Sequence, residues 1–238
     1  TLAPELAAQA VRRWHDDPAF FLRQVLGVQR IHKHQLAMIE AVRDHRRVAV
    51  CASTSTGKDW AAARVILWWL LSRYPAVVIL MGPSYRQVSD IVWKEVRSAY
   101  GTARVPLGGT MYTTPRWEGD ERHFALGFAT SEPMNILGFH SPSMLVIITE
   151  AHNVSQPHVD AAKRLNPDRL LLTGNPIVAA GEFFDAFHEK AGFYHPIQFN
   201  VFDLPGITDD AVPIPGLMTR ETLEELKREW GEDSPLYV

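Results

Sequence analysis

The sequence predicts an α/β fold with a central, mostly parallel sheet and helices on both faces. Three observations predict it. Short, continuously apolar segments recur at 46–51, 76–81, 144–148 and 170–172, and strands buried on both faces read this way, whereas half-solvated strands alternate. Stretches with helical spacing separate them, the order that builds strand-helix-strand units. Polar residues follow the strands, Ser53 to Asp59 after the first, Thr149-Glu150 after the third and Thr173-Gly174-Asn175 after the fourth, and ligands bind at such carboxyl ends in open α/β sheets.

Each element follows in order. Residues 4–25 carry apolar residues at helical spacing and predict one helix; 32–45 predict a second, amphipathic one. The strand at 46–51 comes next, opened by Arg46-Arg47, which are expected in solvent. The helix at 60–71 is apolar on nearly every face and is therefore expected in the interior, with Trp68 and Trp69 as core residues rather than a base-stacking platform. A strand at 76–81, a helix at 87–99, a Gly- and Thr-rich hairpin between 101 and 128, and the strand at 144–148 follow. Leu170-Leu171-Leu172 reads as the last strand. Beyond Asp203 the chain is punctuated by Pro and Gly, then carries one charged helix at 220–230. This gives an N-terminal helical segment (1–45), a core (46–203) and a C-terminal lid or linker (204–238), with no internal repeat.

Composition narrows the function classes. A chain of 238 residues with 46% hydrophobic content can bury a substantial core. The longest apolar run is too short to span a bilayer, and no charged stretch followed by an apolar one opens the chain. The single cysteine, Cys51, cannot form an internal disulfide, which fits a reducing compartment. With a net charge of -3 and a pI near 6.3, the chain lacks the overall basic character of a dedicated nucleic-acid binder, so contact with DNA must be local or shared among subunits. The ten histidines show no metal-ligand spacing and are expected at the surface or at helix ends.

Two constellations carry chemistry. Ala52-Ser53-Thr54-Ser55-Thr56-Gly57-Lys58-Asp59 is a phosphate loop with two parts replaced: Ala52 stands where the first glycine is usual, and Asp59 where the magnesium-binding hydroxyl is usual. Its place between a strand and a buried helix is where backbone N–H groups gather around phosphate. Ser53, Thr54, Ser55, Thr56 and Gly57 would wrap the phosphates, and Lys58 would hold the β- and γ-phosphates. The second is Val146-Ile147-Ile148-Thr149-Glu150, which ends a strand on a carboxylate able to orient water against a γ-phosphate. In ordinary loops a hydroxyl in the loop and an aspartate on the acidic strand share the Mg²⁺ ion; here Asp59 and Thr149 exchange those residue types. Asp59 is expected to ligate Mg²⁺, and Thr149 to hydrogen-bond Asp59 or a coordinating water.

The ordered set of segments resembles the ATPase domain of phage terminase large subunits, the motors that package DNA. Lys33-His34-Gln35 resembles the adenine-recognising segment of that family, and the 53–59 loop its divergent phosphate loop. Met81-Gly82-Pro83-Ser84-Tyr85-Arg86-Gln87 resembles a helicase-like segment. Gly138-Phe139-His140 with Ile148-Thr149-Glu150-Ala151-His152 resembles the second acidic motif, Thr173-Gly174-Asn175-Pro176 the coupling motif, and 229–237 the approach to a nuclease domain. The resemblance implies a P-loop NTPase of the ASCE (RecA-like) type, with ATP and Mg²⁺ bound, Gln35 reading adenine, Glu150 catalytic, and Thr173, Gly174 and Asn175 sensing the γ-phosphate. It further implies double-stranded DNA, a portal protein and a small terminase subunit as partners, a homo-oligomeric ring, no membrane, and action in the host-cell cytoplasm. A nuclease domain following this chain is expected to lie outside it.

The sequence departs from the family at Thr149, where an aspartate is usual, and at Thr54, where an arginine is one usual option. No arginine finger is evident; Arg86, Arg104, Arg122 and Arg164 are candidates by charge alone. Two other readings stand beside the motor: a superfamily 2 helicase-like remodelling ATPase, and a nucleotide-gated assembly subunit that binds ATP without efficient hydrolysis.

Overall fold

The computed structural model describes residues 4–129, 138–208 and 212–231. Most of the 229–237 stretch likened to the approach to a nuclease domain lies outside the described residues. The chain runs through α1 (Pro4–Asp16), α2 (Pro18–Gln24), α3 (Lys33–Asp44), β1 (Arg47–Ala52), α4 (Lys58–Leu71) and β2 (Val77–Gly82). A π-helical turn (Gln87–Trp93) leads into α5 (Lys94–Gly101), and β3 (Thr110–Met111), β4 (Arg116–Asp120), β5 (His123–Ala129) and β6 (Met144–Ile148) follow. Then come α6 (Gln156–Arg164), β7 (Arg169–Gly174), α7 (Gly181–Asp185), β8 (His195–Phe199) and α8 (Arg220–Trp230).

Among the described residues, eight strands lie in one sheet, ordered β3-β4-β5-β2-β6-β7-β1-β8. The contacts among β5, β2, β6, β7, β1 and β8 are parallel, and the antiparallel pairs β3/β4 and β4/β5 form one edge. Strand β7 separates the loop strand β1 from the acidic strand β6. Alternate residues feed opposite layers: Val48 and Val50 join Trp68, Trp69 and Met38 in the core under α1–α5, while Ala49, Val146 and Leu172 join Val159 and Phe183 under α6 and α7. Trp68 and Trp69 are buried, as expected, with indole N–H groups bonded to the Trp14 and Ser143 carbonyls.

Four expectations need correction. The single helix at 4–25 is two helices, because Pro18 has no N–H to continue α1 and the Asp17 carboxylate instead caps α2, accepting from Phe20 N–H at 2.8 Å. The buried helix starts at Lys58, not residue 60, so Asp59 lies in its first turn. The helix expected at 87–99 begins with a π-helical turn, a geometry frequent near functional sites. The strand at 170–172 is not the last: β8 adds to the free side of β1. Its alternating pattern and Pro196 suit an edge strand, where a missing N–H is tolerated.

Candidate functional site

The loop between β1 and α4 is shaped by two left-handed residues, Ser55 at φ 57° and Gly57 at φ 86°. Thr56 Oγ1 closes the turn by donating to the Ser53 carbonyl at 2.8 Å. Gly57, the residue before α4, has no side chain to cap it, so the first helical N–H groups are left for an anion. The loop lines a cavity of about 430 Å³, closed on the far side by Asp90, Lys94 and Glu95 of the π-turn and α5.

Glu150, two residues beyond β6, is in a left-handed conformation, φ 49°, rare for a residue with a side chain and frequent where function demands a fixed orientation. Its Oε1 lies 3.2 Å from Lys58 Nζ, and both side chains are largely buried. Thr149 is fully buried, and its Oγ1 donates to Asp59 Oδ1 at 3.2 Å, the hydrogen bond expected between the exchanged pair. Gln87 Nε2 reaches both, at 3.5 Å from Asp59 Oδ1 and 3.4 Å from Thr149 Oγ1. Burial pushes the Asp59 carboxyl above its usual range, against the lowering pull of Lys58. A buried carboxylate whose charge is disfavoured, beside orphan N–H groups, fits a divalent cation shared with phosphate oxygens. Among the described residues no three His, Cys, Asp or Glu side chains form a metal cluster without such oxygens.

Behind Glu150 lies the end of β7. Thr173 Oγ1 and Asn175 Oδ1 are buried without hydrogen-bond partners, the two side chains to which the sequence assigns γ-phosphate sensing. The Asn175 N–H donates to His152 Nδ1 at 3.1 Å, and Glu150 Oε2 lies 3.6 Å from the same nitrogen. His152 is thus an interior residue, contrary to the surface expectation, as is His123; His32 and His158 are buried too, but at helix starts, as expected. His123 accepts the Ala76 N–H, and burial lowers its pKa; a neutral imidazole can satisfy interior backbone donors that the sequence alone does not reveal.

Gln35 also lies against the loop. It is 3% exposed, its oxygen accepts the His32 N–H at 3.0 Å in a capping box, and its amide nitrogen fills the space that a Cβ on Gly57 would take. It therefore packs against the loop at Gly57. The neighbouring Lys33 and His34 grip Asp203, at 3.2 Å and 3.1 Å. The C-terminal segment closes on the same loop: Met218 N–H donates to the Ser55 carbonyl at 2.8 Å, and Leu217 packs at Gly57. Sequence reasoning missed Leu217 and Met218 and gave Gln87, in its helicase-like segment, no role at the loop, because only the fold brings them there. Arg86, Arg104, Arg122 and Arg164 are exposed, and none lines the loop cavity.

No protein-family model and no curated protein matches the sequence. Solved structures do. The HK97 bacteriophage large terminase superimposes on 94% of this chain with a TM-score of 0.65 at 15% identity. The large terminase ATPase domain of Thermus phage P74-26 matches over 93% of both chains, with a TM-score of 0.60 at 16% identity. This chain has the fold of a large-terminase ATPase domain. The large terminase of another thermophilic bacteriophage, in complex with ADP, adds a TM-score of 0.65 at 14% identity over 87% of this chain. This chain spans about half the length of the HK97 terminase and of the ADP-bound one, 51% and 52%. At these identities the likeness is one of fold, and it confirms the RecA-like P-loop class.

Proposed function

We propose that this chain is the ATPase domain of a viral genome-packaging motor, coupling ATP hydrolysis to translocation of double-stranded DNA into a procapsid in the host-cell cytoplasm. One observation carries the reading: Lys58, which opens α4 after β1, and Glu150, which follows β6, meet at 3.2 Å beside an uncapped helix start, although β7 lies between the two strands. A lysine that holds phosphate and a carboxylate that orients water belong together in nucleotide hydrolysis. The fold and the ADP complex of the structurally similar terminase support it.

In this reading the 53–57 backbone wraps the phosphates and Lys58 leaves Glu150 for the γ-phosphate. Glu150 is then free to accept a proton from the attacking water. Asp59, held by Thr149 and Gln87, would ligate Mg²⁺, whose contribution is to neutralise charge on the phosphates. Thr173 and Asn175 carry loss of the γ-phosphate toward the C-terminal segment, which touches the loop at Ser55 and Gly57. Partner subunits in a homo-oligomeric ring, with portal protein and small terminase, would complete the motor.

Mutant binding and turnover test the assignment. Glu150→Gln is expected to leave ATP affinity within about twofold while lowering turnover on the order of 10²-fold or more, and Lys58→Ala to weaken binding itself. Equal losses of affinity in both variants would sink the roles.

A further inference from the structure

His152 lies between the hydrolytic carboxylate and the coupling motif and touches both. Its side chain is 2% exposed. The Asn175 N–H donates to Nδ1, so that nitrogen carries no proton and the ring is the Nε2–H tautomer. Nε2 sits 2.9 Å from the Asn153 side-chain amide, whose oxygen can accept that proton once the amide is turned. Glycine at 174 is required for the arrangement, since a Cβ there would stand 2.9 Å from Nδ1 and 3.1 Å from the Phe183 ring.

We propose that His152 is the positioning residue through which the state of Glu150 is passed to Asn175 and the coupling motif. The inference rests on reading Glu150 as the hydrolytic carboxylate. Nδ1 faces Glu150 Oε2 at 3.6 Å and the Asn175 N–H at 3.1 Å, so any movement of the carboxylate, on release from Lys58 or on taking a proton, changes the field at the nitrogen that anchors the motif. The link is short and buried, where electrostatic interactions are strongest. Its hydrogen bond is to a backbone N–H, so it moves the strand end itself rather than one side chain. Asn175 Oδ1 and Thr173 Oγ1, unpartnered at the same strand end, are free to take new partners when it moves.

The test is a double-mutant cycle read at the Asn175 amide by NMR, in the full chain. Glu150→Gln is expected to shift that amide resonance in the parent and to leave it in place in a His152→Phe background, which keeps ring volume but lacks the acceptor. His152→Gln, whose carbonyl can accept the N–H, is expected to restore part of the shift. An equal shift in the His152→Phe background, or no difference between the Phe and Gln variants, overturns the proposal. Should His152→Phe fail to fold, the same cycle is read in Gly174→Ala, whose methyl displaces the ring from Asn175; an undiminished shift there overturns it equally. No nucleotide enters the cycle, so failure of this link and failure of the ATPase reading are separate outcomes, the latter shown by parent protein that binds no Mg²⁺-ATP.

Discussion

Asp59 combines two opposed demands on one residue. A carboxylate about 4 Å from a phosphate charge is repelled by roughly 4 kcal/mol at an effective dielectric of 20, so it is compatible with a triphosphate only across a divalent cation. The structure answers half of this: Thr149 and Gln87 direct hydrogen bonds to Oδ1, and burial has already raised the pKa. Gly57 precedes α4, and Asp59 sits inside its first turn. The exchanged pair therefore makes a sharp expectation. Asp59→Ser and Thr149→Asp should each weaken Mg²⁺-dependent ATP binding by about tenfold or more, from loss of a charge-assisted contact of about 1.5–3 kcal/mol. The double variant should recover much of that loss. Titration calorimetry with and without Mg²⁺ decides it, and single variants that bind Mg²⁺-ATP as the parent does would refute the exchange.

At the scale of elements, α6 and α7 each follow a site strand, β6 and β7, and one buried carboxylate ties them together. Glu182 of α7 is 1% exposed in its side chain and takes Lys163 of α6, Lys190 at 2.7 Å and the Tyr194 hydroxyl at 2.7 Å. Burial works against its charge, but these hydrogen bonds outweigh it and hold the carboxyl down to about 2, below the ordinary 4.5. The depressed folded-state pKa contributes stability that is fully present above pH 4.5 and is lost as pH falls toward 2. The shift corresponds to about 3 kcal/mol. Glu182→Gln is thus expected to be less stable by roughly that amount at about pH 7, and its urea-unfolding free energy should change less than the parent's between pH 4.5 and 2. Parallel pH profiles would show that the tether contributes nothing.

Which elements the sequence could reveal follows from the same physics. β1, β2, β6 and β7 are doubly buried and announce themselves as apolar runs, and α4 does so because nearly its whole length is interior. β8 is hidden by its alternation and by Pro196, and the α1/α2 break by a helical pattern that continues across Asp17-Pro18 although the cap signal is present. The site divides likewise. The loop and Glu150 are local in sequence and legible; the cap that holds Gln35 away from solvent and the bond from Asn175 to His152, 23 residues apart, exist only once the strands are ordered.

At the scale of the whole molecule, charge around the loop is unbalanced for hydrolysis. Lys58 is held by Glu150, and Arg64, further along α4, is buried in an ion pair with Glu95 at 2.6 Å and packed 4.2 Å over Trp60. None of the four arginines named by charge reaches the cavity, and Lys94 is the remaining cation along its wall among the described residues. An arginine acting on the developing γ-phosphate charge contributes a rate factor on the order of 10³–10⁵. In a ring, a neighbouring subunit can bring one to the open side of the cavity without any change in this chain's own contacts. Specific ATPase activity should therefore rise steeply with protein concentration, or on adding portal protein and DNA, by roughly tenfold or more above the dilute chain. A catalytically silent partner makes the origin visible: mixing Lys58→Ala protein, which cannot hold nucleotide but presents an intact surface, with dilute parent should stimulate the parent. Full turnover by the isolated monomer, independent of concentration and of added Lys58→Ala protein, would place the missing cation within this chain, with Lys94→Ala the variant to separate its contribution.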